Sequence, residues 1–278
     1  MPSRRNARAN TAWFVFLGSA ALLIFLVALL AWHPRQPTGG PRPLLVYCAA
    51  GVKAPVESVA REYEKTFGVP IQLQYGGSQT LLASIEITQR GDLYLPADDG
   101  YLDLAREKNL VAQSVPLARM RAMLAVKKGN PKHIGNFDEL LREGTKLAQA
   151  SPDAAAIGKL TREALQKTGQ WEALKARTVV FKPTVNDVAN DIRLGTVDAG
   201  ILWDALSRQY PDLDFLAISV FTNIQSRVAV AVLRTSPQAA AALRFARYLG
   251  ARDKGLTKFR EDGYETAEGG LFEEVEAK

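Results

Sequence analysis

Four turns in the chain place small residues or helix-capping residues directly after predicted strands. They are 49–53 (AAGVK), 76–79 (GGSQ), 151–158 (SPDAAAIG) and 184–187 (TVND). Free N–H groups at a helix N-terminus, with the positive end of the helix dipole, bind anions without a charged side chain. Each turn alone is more typical of an ordinary cap or strand exit than of a ligand site. Together, the four turns indicate an anion site.

Catalytic chemistry has little support in the same residues. Ser78 would need a general base, and the chain has only His33 and His133, the second in a Lys-rich loop. The GGSQ turn does not match the G-x-S-x-G nucleophile elbow. A single cysteine, Cys48, excludes a thiolate-rich metal site, and two histidines leave almost no room for a His-rich one. The acidic pair Asp98–Asp99 fits a helix-entry cap better than a metal site. We therefore expect no enzyme and no metal site, and a hydrolase using Ser78 is the alternative from another class.

Strand and helix signals alternate regularly along the chain after residue 43. The predicted strands are 44–49, 70–75, 92–96, 120–126, 147–151, 178–181, 199–202 and 228–233. The predicted helices are 55–67, 78–89, 100–108, 137–142, 157–167, 186–194, one from Asp204, 238–249 and 255–261. This alternation predicts an α/β fold with mostly parallel sheets and helices on both faces. Ligands of such folds bind at the carboxyl ends of strands, where the four turns lie.

The first 43 residues differ in composition from the rest. Residues 12–32 form an uncharged run of 21 residues with Trp13 and Trp32 at its ends, which fits a transmembrane helix. Three arginines precede it, which predicts that residues 1–11 are cytoplasmic and the body lies outside. A cleaved signal peptide is the alternative, and either one predicts a periplasmic or extracytoplasmic body. Residues 33–43 form a Pro/Gly linker.

The net charge of +6 comes mostly from five arginines within residues 1–43, a stretch that contains no acidic residue. The remaining body is therefore nearly neutral. Because nucleic-acid-binding proteins usually carry a basic patch or stripe, we expect no nucleic-acid partner.

Several blocks, in order, resemble the periplasmic molybdate-binding proteins of ABC transporters, which have the type II substrate-binding fold. The resemblance spans about residues 44–270. The blocks are YCAAGVKAPVESVAREYEKTFG, IQLQYGGSQTLLASIEITQRGDLYLPADD, ASPDAAAIGKLTREAL, VNDVANDIRLGTVDAGILWDA and the closing FREDGYE. The fourth block is the most specific, through its G-x-x-D-A-G-I pattern.

The resemblance implies two α/β lobes that close on a tetrahedral oxyanion, held by hydroxyl groups and backbone amides. Ser78 matches a serine of that family's site, and Ile157 and Val185 match residues that donate their amides. Gly51 stands where the family often has a serine, and Trp203 where it often has a tyrosine. These two departures put the anion's identity in question more than the fold.

Three further residues, Ala50, Lys53 and Asn186, are candidates for contact with the ligand, Lys53 through its charge. By the resemblance, one lobe comprises residues 44–123 and 226–278 and the other 124–225, with crossings near Met123 and Gln225.

The resemblance implies a protein that captures molybdate or tungstate by hinge closure and delivers it to an ABC permease. Such a protein needs no cofactor. The uncharged run 12–32 predicts, separately from the resemblance, that the protein is tethered to the membrane, with a cleaved signal segment as the alternative. The alternatives are a binder of sulfate, phosphate or a ferric chelate, and a membrane-tethered sensor on the same fold.

Overall fold

The computed structural model describes residues 22–23, 25–26 and 41–273. The predicted span 12–32 lies outside the described residues, except for Leu22, Leu23, Phe25 and Leu26, which are helical. Within the described part of the chain, no helix has the length and apolar character needed to cross a membrane. The compact unit that begins at Pro41 is described below.

This unit alternates strands and helices. The strands are β1 (Leu44–Ala49), β2 (Ile71–Gly76), β3 (Leu93–Leu95), β4 (Val111–Lys127), β5 (Leu147–Ala150), β6 (Thr178–Lys182), β7 (Ala199–Trp203), β8 (Leu213–Leu216), β9 (Gln225–Leu233) and β10 (Glu265–Thr266). The helices are α1 (Lys53–Phe67), α2 (Ser78–Thr88), α3 (Gly100–Glu107), α4 (Phe137–Leu140), α5 (Ala156–Lys167), α6 (Trp171–Arg177), α7 (Val185–Leu194), α8 (Ala239–Leu249) and α9 (Gly255–Glu261).

The strands follow the order β2-β1-β3-β9-β4-β7-β5-β6, and β8 and β10 also pair with β4. The pairs β1–β2, β1–β3, β5–β6 and β5–β7 are parallel. The antiparallel pairs all involve β4 or β9. Parallel strands joined by helices therefore form the body of each lobe, and the predicted two-lobe α/β fold class is confirmed.

Strand β4 changes partners along its length. It pairs with β9 up to Arg121 and with β7 from Ala122 onward. Strand β9 begins at Gln225, opposite Arg121. These two strands therefore connect the two groups of strands. The lobe boundaries predicted after residues 123 and 225 fall within a few residues of this change, and they remain a prediction.

Helix α1 shows how the sequence builds a lobe. Val56, Val59 and Tyr63 recur at helical spacing and are buried. The ring of Tyr63 packs edge-on against Phe245 of α8, with centroids 4.9 Å apart. The helix ends at Gly68, which has the left-handed φ of 67° typical of a glycine C-cap. The apolar stripe thus sets the face of α1 that packs on the core, and the terminal glycine sets where the helix ends.

Every predicted strand is present, but β4 is longer than the predicted 120–126. Its first half contains polar residues and Pro116, which do not give a strand pattern. The pairing of this half with β9 is irregular before Ser114 and after Pro116, and such irregularities accommodate a proline in a sheet.

Three short elements, α6, β8 and β10, were not predicted. Helix α6 buries only Trp171 and Leu174, so its periodicity is weak. The helix predicted from Asp204 is a 3₁₀ segment, Asp204–Arg208.

Candidate ligand-binding site

A small cavity lies where the carboxyl ends of strands from both lobes meet. The space inside it that the centre of a water molecule can reach is about 20 Å³. All five residues that the sequence singled out as principal contacts line it, together with Ala50. The lining residues are Ala49, Ala50, Gly51, Gly76, Gly77, Ser78, Ala97, Ala155, Ala156, Ile157, Thr184, Val185 and Trp203.

The first lobe contributes two turns. Gly51 lies in the 3₁₀ segment Ala50–Val52 between β1 and α1, and Ser78 is the first residue of α2, directly after β2. The carbonyl oxygen of Gly51 accepts a hydrogen bond from the Tyr264 hydroxyl at 2.6 Å, which holds the turn from behind. Burial raises the pKa of Tyr264, so its hydroxyl remains a donor at physiological pH.

The Ser78 hydroxyl is oriented by its neighbours. Its Oγ accepts a hydrogen bond from the Ala97 N–H at 3.1 Å, and the Ala97 carbonyl accepts one from the hydroxyl of buried Ser226. The Ser78 carbonyl accepts a hydrogen bond from the Tyr94 hydroxyl at 2.7 Å. Because Oγ already accepts from Ala97, its own proton is left for a ligand. The N-cap of α2 is Gly77, so Ser78 does not serve as the cap.

The second lobe contributes the N-termini of α5 and α7. The N-cap of α5, Ala155, makes no side-chain cap bond, so the first-turn amides, including that of Ile157, have no side-chain partner. In α7, Thr184 and Asp187 form a capping box that uses the amide of Asp187. This cap leaves the amide of Val185, the first residue of α7, without an intrahelical partner.

Trp203 closes one side of the cavity. It is the last residue of β7 and is only 1% exposed. A Cβ atom placed on Gly51 would lie 3.1 Å from Trp203 Cδ1 and 3.4 Å from Trp203 Nε1. The two residues at which the sequence departs from the family pattern are therefore in contact with each other.

The two lobes also touch directly beside the cavity. The Gln79 N–H, in the first turn of α2, donates a hydrogen bond to the Ala154 carbonyl oxygen at 3.0 Å. Ala154 belongs to the turn that leads into α5. The two lobes are therefore in direct contact here, as in a closed form of the protein.

The lining of the cavity is uncharged: among the described residues, none of those that line it has an ionisable side chain. Its polar side-chain atoms are Ser78 Oγ, Thr184 Oγ1 and Trp203 Nε1, and Thr184 Oγ1 is occupied by its bonds to Asp187. The free side-chain groups are therefore an O–H donor and an N–H donor. With the helix N-termini around them, they form a neutral site that favours an anion.

Two of the three additional candidates lie elsewhere. Lys53 does not line the cavity, because its ammonium lies 3.6 Å from the Glu57 carboxylate and 4.8 Å from the centre of the Tyr75 ring. The Asn186 Nδ2 donates to the Tyr210 hydroxyl at 3.3 Å, and its side chain does not line the cavity either.

The hydrogen-bond partners of Ser78 bear on the hydrolase alternative. Within the described residues, the groups hydrogen-bonded to its hydroxyl oxygen and carbonyl are donors, and none is a base. No cluster of three or more His, Cys, Asp or Glu side chains suited to a metal ion occurs in this part of the chain.

The sequence did not reveal the residues that support the site from behind. Ala97 could have been predicted to lie near the site, because it follows β3 as Gly51 follows β1. Tyr94, Ser226 and Tyr264 carried none, because their contacts with the site turns arise only when distant parts of the chain meet.

Comparison with known proteins places the chain among solute-binding proteins. The ModA molybdate-binding protein of Mycobacterium tuberculosis is 28% identical over 82% of this chain and 88% of the relative. A Haemophilus influenzae protein described as a binding protein is 28% identical over 57% of this chain, and the match spans 65% of that relative.

Solved structures agree with this fold. The sulfate-binding protein SubI of Mycobacterium tuberculosis has a TM-score of 0.70 at 15% identity, covering 82% of this chain and 88% of its own. The periplasmic molybdate-binding protein of Azotobacter vinelandii has a TM-score of 0.68 at 15% identity, covering 81% of this chain and all of its own. At these identities, the similarity shows the fold alone.

The fold and the cavity between its lobes thus define a two-lobe binding protein. Residues 44–265 match the family described as bacterial extracellular solute-binding proteins, and the chain belongs to this family.

Proposed function

We propose that this protein binds a tetrahedral oxyanion, molybdate or tungstate, in the cavity between its lobes. The observation that carries the proposal is the convergence of four helix or 3₁₀ N-termini on a small cavity lined by no charged side chain. The 28% identity to ModA over most of both chains supports molybdate in particular.

In this proposal, Gly51, Ile157 and Val185 donate their backbone amides, Ser78 donates its hydroxyl proton, and Trp203 donates Nε1–H. Hydrogen bonds from neutral donors to an ionised ligand are shorter and stronger than those between neutral groups. A dianion held in this way needs no buried countercharge, which would itself be costly to desolvate.

The same donors should disfavour phosphate. Molybdate, tungstate and sulfate carry no proton near neutral pH, whereas phosphate retains an O–H that needs an acceptor. The groups that we assign to the ligand are all used as donors, and a phosphate O–H left without an acceptor would cost about 1–3 kcal/mol. Discrimination between molybdate and sulfate then rests on the size of the cavity.

We assign the lobes to residues 44–123 with 226–278, and to residues 124–225. Strands β4 and β9 act as the hinge, and closure of the lobes encloses the ligand. The closed protein then delivers the anion to an ABC permease, which is the partner we propose. The chain's role is binding, without covalent chemistry.

For location, we propose an extracytoplasmic body tethered by residues 12–32. The support is the family description and the uncharged 21-residue run preceded by three arginines. The test is membrane fractionation after expression, followed by intact mass. Retention of the full mass in the membrane fraction after a carbonate wash supports the tether, and a shortened soluble product means that the segment is cleaved.

Thermal unfolding of the full chain, purified in mild detergent, tests the ligand. The panel is molybdate, tungstate, sulfate, phosphate and ferric citrate. A ligand at a hundred times its Kd stabilises the native state by about 2.7 kcal/mol, or about 5–10 °C for a protein of this size. A rise with molybdate and tungstate, and none with phosphate, supports the proposal. No rise with either metal oxyanion would refute it.

A further inference from the structure

Gly51 and Trp203 lie side by side in the wall of the cavity and come from different lobes. A Cβ atom on Gly51 would lie 3.1 Å from Trp203 Cδ1 and 3.3 Å from Val185 Cγ1. Such distances are closer than ordinary van der Waals contact, so a side chain at residue 51 requires one of these neighbours to shift by a few tenths of an ångström. The indole therefore already fills the space that a side chain at residue 51 would need.

Hydrogen bonds hold the backbone of the Gly51 turn in place next to the indole. Its carbonyl oxygen is bound by the Tyr264 hydroxyl at 2.6 Å, and Tyr264 is itself buried. The same hydroxyl accepts a hydrogen bond from the side chain of Gln209 at 3.4 Å. The turn is thus fixed by a residue that is tied to both lobes.

Trp203 is held equally firmly. It pairs with Ala122 at the point where β4 changes partners, and its side chain is fully buried. The next residue, Asp204, accepts hydrogen bonds from the backbone amides of Arg121 and Ala205 at 3.0 and 2.8 Å. The strand end that carries the indole is therefore anchored to the hinge strand.

The polar edge of the indole lies on the side of Gly51, and both residues line the cavity. Within the described residues, no group accepts a hydrogen bond from Trp203 Nε1, which lies beside the lining atoms of Gly51. An indole nitrogen is a donor only, and its direction is fixed by the ring, unlike that of a hydroxyl. This wall of the cavity thus offers one rigid N–H donor.

We propose that Gly51 and Trp203 form a single specificity-determining pair. Because residue 51 is glycine, the Trp203 indole can occupy the space beside it. The indole N–H then supplies the donor that a side chain at residue 51 would otherwise offer. The inference rests on the proposed oxyanion function and adds to it that the two residues cannot be exchanged independently. The fixed donor direction makes the pair sensitive to the size of the tetrahedral anion.

A double-mutant cycle on the full chain tests this pair. The variants are Gly51→Ser, Trp203→Tyr and the double variant, and each is titrated calorimetrically with molybdate and with sulfate. We expect each single variant to bind molybdate at least tenfold more weakly. The double variant should bind within about threefold of the unaltered chain, because the smaller ring leaves room for the serine. Its ratio of molybdate to sulfate affinity should differ at least threefold from that of the unaltered chain.

Two further variants test the N–H donor separately and provide a control outside the cavity. Trp203→Phe keeps an aromatic wall but deletes the N–H donor, and it should weaken molybdate binding at least tenfold while still folding. Trp171→Phe alters a buried tryptophan that does not line the cavity, and its effect should simply multiply with that of Gly51→Ser.

The outcomes distinguish a failure of the proposed Gly51–Trp203 pair from a failure of the proposed oxyanion binding. Multiplicative effects of Gly51→Ser and Trp203→Tyr, in an unaltered chain that binds molybdate, overturn the pair alone. Full affinity in Trp203→Phe overturns the donor role. An unaltered chain that binds no oxyanion overturns the proposed function and the pair together.

Discussion

Gly77 and Ala154 meet backbone to backbone across the cleft between the lobes. A Cβ atom on Gly77 would overlap the carbonyl oxygen of Ala154 and lie 2.8 Å from that of Pro183. These two carbonyls belong to the turns that lead into α5 and α7. The start of α2 thus fits between two turns of the other lobe only because residue 77 has no side chain.

Gly77→Ala should therefore impair closure while leaving each lobe intact. We expect molybdate to bind at least tenfold more weakly, which corresponds to about 1.4 kcal/mol, with little change in the Tm of the protein without ligand. Calorimetry measures the affinity, and small-angle scattering measures the compaction caused by ligand. Gly270→Ala is the matched control, because a Cβ atom there meets open space. Equal affinities of the two variants would contradict the closure role of Gly77.

Ser78→Ala tests the hydroxyl donor. A hydrogen bond to a charged group contributes about 1.5–3 kcal/mol, so affinity for molybdate should fall about 10- to 100-fold. The Ala97 amide also loses its acceptor, so the Tm should fall by a few degrees. Ser84→Ala on the same helix is the control, because that hydroxyl donates to the Thr80 carbonyl away from the cavity. If both variants keep full affinity, Ser78 is not a ligand donor.

Tyr264→Phe tests the support behind the Gly51 turn. The change removes a buried hydrogen bond and leaves the Gly51 carbonyl unpaired, so the free energy of unfolding should fall by about 1–3 kcal/mol. Affinity for molybdate should also fall several-fold, because the turn is no longer fixed. Tyr248→Phe is the comparison, since it loses a bond to Glu62 that is remote from the cavity lining. A loss of stability without a loss of affinity in Tyr264→Phe would limit its role to folding.

Asp98 provides a pH-dependent prediction. Burial raises the pKa of its carboxyl, with the charge of Asp99 acting in the same direction, while the Gly100 amide and Lys159 oppose the shift. The native state therefore holds this proton more tightly than the unfolded chain does. The resulting stability is present below the unfolded pKa and is lost as pH rises through the folded pKa.

Asp98→Asn removes this dependence and keeps an acceptor for the Gly100 amide. Its Tm should exceed that of the unaltered chain at pH 7–8, and the gain should shrink as the pH falls toward 4. Asp103→Asn, at an exposed carboxylate paired with Arg106, should show no comparable gain. A gain in Asp98→Asn that is independent of pH would contradict the explanation by desolvation.

The sequence was most informative about site residues that lie where a strand leads into a helix. Gly51, Ser78, Ile157 and Val185 each lie at a helix or 3₁₀ start that follows a strand, and such positions gather at one edge of a parallel sheet. The convergence of their four turns was therefore predictable from element order and turn residues, whereas the particular residues came from the family resemblance. Their roles as ligand donors remain predictions.

The sequence was least informative about side-chain direction and remote contacts. Lys53 stands two residues after Gly51, yet it extends toward Glu57 one helical turn further on. Its position in the chain could not distinguish that pairing from a place in the cavity. Likewise, the hydrogen bond from Tyr264 to Gly51 joins residues 213 positions apart, and no local pattern announces it.

The most direct test of the central claim is a crystal structure of the full chain with molybdate, measured with anomalous scattering at the molybdenum edge. The account predicts one strong anomalous peak in the cavity, with ligand oxygens within hydrogen-bond distance of Ser78 Oγ, Trp203 Nε1 and the Val185 amide. A peak elsewhere, or a cavity without one at saturating molybdate, would contradict it.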